Sequence, residues 1–293
     1  VNAKFSLARL GNSFAYVSRN IRGQAQIMQM SGYQPQRIST HAVENTLVNE
    51  RTDDAIAWTY QLEGHEVYVV TFPSIGNGLT WAYDSTTQMW HKWLYTNTDG
   101  SYSRHRGNCA CNFQGMVMVG DYSNGKIYML DKSNYTDDGQ KVRRLRRAPH
   151  LVTDLQRQYF EELQLQFQPG VGLGGINVQA PNATRFVSDP YVIYPDAFLT
   201  IGPNETVQIG NYASINPNTP TTLPQAMLRW SNDGGSTWSN EHWSALGKVG
   251  KYQNRIIWRR LGWSRDRIYE VVVTDPIKAV IVSANLKASV GEN

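Results

Sequence analysis

Between residues 228 and 238 the chain reads Leu-Arg-Trp-Ser-Asn-Asp-Gly-Gly-Ser-Thr-Trp, and few backbone arrangements accommodate that order. Ser231, Asp233, Gly235, Thr237 and Trp238 have the spacing Ser-x-Asp-x-Gly-x-Thr-Trp of an Asp-box. In such a turn a carboxylate bonds its own backbone, glycine supplies a left-handed conformation, and the tryptophan seals the base. The pattern predicts strand, tight turn, strand, and a folding role for Asp233 rather than a catalytic one. A second hairpin rich in tryptophan and arginine follows at 258–267.

Nine Trp, 16 Tyr, 24 Gly and 12 Pro in 293 residues describe short strands separated by turns, and 41% hydrophobic residues suffice for a core. The expected class is all-β. A net charge of +4 permits contact with nucleic acid without demanding it. No basic-then-apolar leader is read, and no apolar run approaches the roughly 18 residues of a membrane span. Cys109 and Cys111 stand one residue apart on a predicted strand, where they share a face and fit disulfide geometry poorly. A reduced cytosolic origin fits. His105 completes His-x3-Cys-x-Cys, but a fourth ligand is missing, so the pair is expected to be buried small residues, and no metal is expected.

Three segments of the first half share one plan: residues 12–17 with 25–30, 64–70 with 79–84, and 114–120 with 125–131. Each runs from a polar turn into an apolar strand, a loop, and a second strand ending in Asp or Ser. The spacing of about 50 residues is that of kelch-like propeller blades. A small sheet buries both faces only between neighbours, so residues 1–140 are predicted to form three propeller-like blades, too few to close a ring. Residues 89–93 are expected to form an outer strand with at least one tryptophan turned inward. Residues 39–49 are expected to form a short crossing in which Thr40, Ala42 and Val43 show little helical periodicity.

From about residue 141 the pattern changes. Five cations fall within residues 141–147, then 163, 165 and 167 alternate apolar against polar neighbours. Residues 141–171 and 226–293 are predicted to form a β-sandwich-like module of seven strands containing the Asp-box hairpin. Residues 172–225, rich in Asn, Pro, Gly and Thr, read as an insertion or long loop, either a surface arm folding on a partner or a flexible linker.

Several separated pieces carry a family resemblance: Gly-Tyr-Gln-Pro-Gln-Arg-Ile-Ser-Thr-His-Ala-Val-Glu at 32–44, Arg-Arg-Leu-Arg-Arg-Ala-Pro-His at 143–150, the Asp-box, and 259–273 with Asp275-Pro276 after it. In this order and spacing the chain resembles the packaged-DNA-stabilising family of short-tailed bacteriophages, the tail hub or nozzle proteins below the portal. The resemblance implies a structural virion protein of the phage tail, made in the host cytoplasm, that closes the portal after packaging and forms part of the ejection conduit. It further implies a hexameric ring of copies, a portal or adaptor ring above, a tail needle or plug below, fibres or spikes at the side, and packaged double-stranded DNA in the lumen. Members of that family are longer, so the chain is expected to be a C-terminal portion.

The competing expectation is a carbohydrate-binding or glycosidase-like propeller used in host recognition. A glycosidase needs a carboxylate pair flanking the scissile bond, and no motif brings Glu66, Asp121 or Glu270 together. Gly-Val-Gly-Leu-Gly-Gly at 170–175 lacks the following helix that would hold a phosphate, so no cofactor is expected. Two arginine clusters remain: Arg143, Arg144, Arg146 and Arg147, and Arg259, Arg260, Arg265 and Arg267. They read either as a DNA-facing ring of charge or as a structural network with Asp154, Glu161, Asp266 and Glu270. Stacking on Trp258 and Trp263 favours the second, as does the need of a duct not to grip its cargo.

Overall fold

The computed structural model describes residues 1–154, 156–169, 185–186, 208–209, 224–247 and 254–291, and the chain folds as two compact units, Val1–Arg143 and Arg144–Asn293. In the first unit a short 3-10 turn, Lys4–Ser6, precedes an antiparallel sheet of β1 (Ala8–Leu10), β2 (Ser13–Arg19), β3 (Ala25–Ser31) and β4 (Gln34–Arg37), in chain order. The second sheet follows the same up-and-down order through β5 (Ile56–Leu62), β6 (His65–Phe72), β7 (Leu79–Asp84), β8 (Met89–Thr96) and β9 (Tyr102–Arg104). The third holds β10 (Gly107–Phe113), β11 (Met116–Asp121) and β12 (Ile127–Met129), and a small hairpin of β13 (Thr136–Asp137) and β14 (Gln140–Lys141) ends the unit. The three repeated segments are the hairpins β2–β3, β6–β7 and β11–β12, the second and third strands of each sheet.

Burial explains why this plan repeats. On β6 every residue from Val67 to Phe72 is buried. Tyr68, Val70 and Phe72 share a core with Ala15, Val17 and Ile27 of the first sheet, while Val67 and Val69 pack with Val117 and Val119 of the third. The middle sheet is therefore covered on both faces, as a blade between neighbours must be. Two-residue turns set the register: Glu63-Gly64 and Gln114-Gly115 have positive φ at both positions, which matches the twist of the strands they join.

Aspartates at the ends of strands hold the turns that follow them. Asp84 accepts from Thr86 N at 3.0 Å and Thr87 Oγ1 at 2.8 Å, and Asp121 accepts from Ser123 N at 2.7 Å and Arg106 Nε at 2.6 Å. Burial pushes the Asp84 carboxyl up, but hydrogen bonds from Thr87, His65 and Thr86 overcome that and hold it at about 2. The pattern Asp-x-Ser/Thr recurs with the same bonds at Asp99 and Asp131.

Three local expectations need correction or extension. Residues 39–49 contain a helix, α1 (His41–Asn45), whose cap Thr40 accepts from Val43 N at 3.5 Å while Val43 and Leu47 enter the core. One short turn leaves too few residues for helical periodicity to show. Cys109 and Cys111 are free thiols, as expected, but exposed, because the β10 face that carries them points away from the core reached by Ala110. On β8 both tryptophans pack inward, on opposite sides: Trp90 against the first core and Trp93 against the second.

In the second unit β15 (Arg144–Arg147) and β16 (Leu151–Val152) precede the long β17 (Gln158–Pro169), and β18 (Arg185–Phe186) pairs with β19 (Gln208–Ile209). Then come β20 (Gln225–Ser231), β21 (His242–Ala245), β22 (Asn254–Arg259), β23 (Trp263–Ser264), β24 (Asp266–Val273) and β25 (Ala279–Val290). One sheet runs β21-β20-β24, with β15 and β16 sharing the far edge of β24. The other is centred on β17, with β25 along one edge and β22 and β23 along the other. Leu163, Leu165 and Phe167 of β17 meet Ala226 and Leu228 of β20 and Tyr269, Val271 and Val273 of β24 in one core, which makes the unit a sandwich. A bulge between Phe160 and Glu162 turns Phe160 to the same side as Leu163. The predicted insertion at 172–225 lies almost wholly outside the described residues.

Phe72 is fully buried. Replacing it with Ala is expected to cost about 3–5 kcal/mol and to lower the unfolding temperature of the first unit alone, leaving a calorimetric transition of the second unit in place.

Candidate functional site

The Asp-box turn is built from one hydroxyl and one carboxylate. Ser231 Oγ donates to Asp233 Oδ1 at 2.6 Å and accepts from Gly235 N at 2.8 Å. Asp233 accepts from Thr237 N at 2.9 Å and Thr237 Oγ1 at 2.6 Å. These bonds, first from Ser231 and then from Thr237, hold the Asp233 carboxyl well below the usual carboxylate range. Gly234 and Gly235 have φ of 74° and 97°, where a side chain would be strained. Because Thr237 is tied back to Asp233, the return strand begins only at His242.

Trp238 leaves the ladder and lies against the outer face of the sheet. The guanidiniums of Arg147 and Arg229 stand 4.8 Å from its ring, and both pair with Glu270: Arg147 Nη2 reaches Oε2 at 2.6 Å and Arg229 Nε reaches Oε1 at 2.6 Å. The register makes this geometry, since Arg147 and Arg229 are the direct neighbours of Glu270 on the flanking strands β15 and β20. The Glu270 side chain is 0% exposed, with Met227 and Val272 buried beside it on the same face. Arg229 is absent from the clusters read in the sequence. Its signal is positional, three residues before Asn232 and two before the Asp-box serine, and only strand pairing reveals its partner.

The eight predicted arginines occupy separate settings. Arg143 stacks on Tyr102 in the first unit. Arg144 Nη1 donates to the Ile277 carbonyl at 2.5 Å, and its Nη2 donates to that of Asp275, fixing the turn after β24. Arg267 is 1% exposed and inside the sandwich, 4.4 Å from the ring of Phe160, and it donates to Asn232 Oδ1 at 2.8 Å and to the Leu261 carbonyl at 2.6 Å. Arg259 pairs with Glu162 at 3.0 Å, while Arg146, Arg260 and Arg265 are exposed and make no ion pair among the described residues. Of the expected acidic partners, Glu270 serves Arg147, but Glu161 pairs with Lys287 and Asp266 with His150. The expected stacking is also redistributed: Trp258 is buried with its Nε1 on the His242 carbonyl, and Trp263 is faced by Arg157 at 4.3 Å.

His105 packs between Trp58 and Trp93, and its Nδ1 accepts from Gly107 N at 3.0 Å. Burial, with Arg104 beside it, pushes the imidazole down to about 4, so it is neutral near pH 7. No group of three or more His, Cys, Asp or Glu that could hold a metal occurs among the described residues. A cavity of about 620 Å³ in the first unit has Glu66 as its one acid, and Glu66 accepts from Gly11 N. In the second unit a groove of about 550 Å³ is lined by Tyr159, Trp263, Glu161, Glu162, Arg259 and Lys287.

Two outcomes are expected of this geometry. Glu270→Gln leaves two partly exposed guanidiniums short of their counter-ion and is expected to cost about 1–3 kcal/mol, read as a lower midpoint in urea. The Asp233 carboxyl is more acidic folded than unfolded, so its contribution is present above the unfolded value of about 3.9 and fades as pH falls below it. The stability gap between the parent and Asp233→Ala is expected to be widest near neutrality and to close toward about pH 2.

Comparison with known proteins follows the same division. Residues 1–135 match the model for the β-propeller of bacteriophage P22 Gp10, and residues 207–289 match that for its β-sandwich. No curated protein matches the chain. Solved structures similar to it include a glycoside hydrolase family 43 arabinoxylan arabinofuranohydrolase from Bacillus subtilis in complex with cellotetraose, at 7% identity over 96% of this chain and 52% of that one, with a TM-score of 0.18. Another is a glycoside hydrolase at 9% identity over 93% of this chain and 70% of that one, also with a TM-score of 0.18. The chain thus spans about half the length of the first, and at such scores neither likeness carries an argument. Propeller and sandwich, matched in order to the two parts of one phage protein, make this chain a member of the Gp10 family of structural phage tail proteins.

Proposed function

We propose that the chain is a subunit of the tail hub, or nozzle, that closes the portal after DNA packaging and later forms part of the ejection conduit. The observation that carries this reading is the ordered match of both units to Gp10. Copies assemble as a closed ring, hexameric in the resemblance, with a portal or adaptor ring on one side, a needle or plug on the other and fibres or spikes docked laterally. The Asp-box and most of the clustered arginines act as folding devices in this reading. Support comes from the bonds that engage Arg144, Arg147 and Arg267 with carbonyls or a carboxylate, which set these three to structural work while Arg146, Arg260 and Arg265 stay exposed.

A second reading, a carbohydrate-binding surface, draws on the groove where Trp263 and Tyr159 are 51% and 42% exposed beside Glu161 and Glu162. Each of these carboxylates is already paired with a cation, which weakens the case for a hydrolytic pair.

The test is assembly and DNA binding together. The nozzle reading predicts rings on portal-bound complexes by native mass spectrometry, and duplex binding whose log-log salt slope lies far below the roughly 5–9 of a protein neutralising six to ten phosphates. Monomers alone on the portal would contradict it, as would tight, steeply salt-dependent DNA binding.

A further inference from the structure

Two Asn-Gly steps occur in the chain, Asn77-Gly78 and Asn124-Gly125, and the fold treats them in opposite ways. Such a step sets an electrophilic side-chain amide next to a backbone nitrogen that no side chain shields. Asn77-Gly78 is locked. Gly78 N donates to the Ile75 carbonyl at 2.9 Å, the Asn77 carbonyl accepts from Arg104 N at 3.1 Å, and Asn77 Nδ2 donates to the Tyr102 carbonyl at 3.4 Å. Gly78 has a φ of 86°, and a Cβ built on it would lie 2.6 Å from Cβ of Arg104, so the backbone there has no room to turn. Asn124-Gly125 lies instead in the exposed loop between β11 and β12. Its Gly125 N–H has no hydrogen-bond partner among the described residues, and a Cβ at Gly125 would meet nothing within 4 Å. Asn124 Oδ1 accepts from Lys126 N at 2.8 Å, an Asx turn that folds the side-chain amide back over the Gly125 peptide.

We propose that Asn124 is a site of spontaneous deamidation, while the fold protects Asn77 from the same reaction. In the first step Gly125 N attacks Asn124 Cγ: a C–N bond forms, the Cγ–Nδ2 bond breaks, and ammonia leaves with the proton that Gly125 N gives up. Water then opens the five-membered imide at either carbonyl, which yields aspartate or, with the main chain rerouted through Cγ, isoaspartate. Water is the one co-reactant, and nothing is oxidised or reduced. Either product adds a negative charge two residues from Lys126, whose Nζ pairs with Asp138 at 2.9 Å. Isoaspartate also adds a backbone atom to a loop that Asp121 N closes by donating to the Lys126 carbonyl at 3.1 Å. The strand this loop leads into, β12, is three residues long, so the added length is expected to loosen its register on β11. None of this rests on the assembly argued above.

The experiment follows both asparagines by peptide mapping in one sample of purified chain held at mildly alkaline pH, with an isoaspartate methyltransferase reporting the rearranged product. Asn124 is expected to convert at least about tenfold faster than Asn77, because Asn77 reacts only in the fraction of molecules whose turn has opened. In chain unfolded by urea both steps lose their surroundings, and the two rates converge. Gly125→Ala puts a methyl group into open space at a residue outside the left-handed region, so the melting temperature is kept. The same methyl group hinders the attack and is expected to slow conversion of Asn124 to the level of Asn77. Equal rates at the two sites in the folded chain would overturn the proposal, as would a difference that persists unchanged in urea, since the neighbouring sequence and not the fold would then set it. Aspartate without isoaspartate at 124, or conversion undiminished by Gly125→Ala, would mean direct hydrolysis of the side chain and would overturn the imide step.

Discussion

A carboxylate without exposed surface has to be neutralised, and in the second unit that requirement organises the structure around it. Glu270 stands mid-strand on β24 with Arg147 and Arg229 directly opposite on the two neighbouring strands. Shifting any of the three strands by one residue would move a charge onto the core face and strand the carboxylate, so the triad fixes register as well as charge. Trp238 then covers both guanidiniums. The turn that delivers Trp238 is the Asp-box, whose bonds among Ser231, Asp233 and Thr237 bring the chain back over the sheet it has just left. The most conspicuous motif in the chain thus places an aromatic lid on an ion triad centred on a buried carboxylate.

The first unit meets a different constraint. A sheet of three to five short strands cannot enclose a core of its own, so each one borrows the face of the next. Val67 through Phe72 are buried on both sides because two neighbours are present, whereas the outermost faces keep apolar side chains in solvent.

Much of this was legible in the sequence for physical reasons. Period-two alternation and paired positive-φ turn residues mark the repeated hairpins, and Ser231 to Trp238 announce the Asp-box by spacing alone. The first strand of each sheet lay outside the repeat: β1 is three residues long and too short for alternation to register, and the seven-residue β5 and β10 precede the turns from which the repeated segments were read. The helix at His41–Asn45 was hidden for the same reason. Arginine partners were the least legible part: clusters along the chain suggested shared work, but pairing across strands sends Arg147 to Glu270, Arg144 to carbonyls near Ile277 and Arg267 into the interior. The thiols were misjudged because alternation tells which residues share a face and not whether a neighbour covers it.

The central claim is that the Asp-box and the ion triad around Glu270 are one folding network, and a double-mutant cycle between Arg229→Met and Trp238→Leu tests it most directly. Unfolding free energies of the parent, both single variants and the double variant are predicted to show a coupling of at least about 0.5 kcal/mol, the lower range for residues in contact. Additivity within about 0.3 kcal/mol would show that Trp238 and Arg229 act independently and would contradict the account.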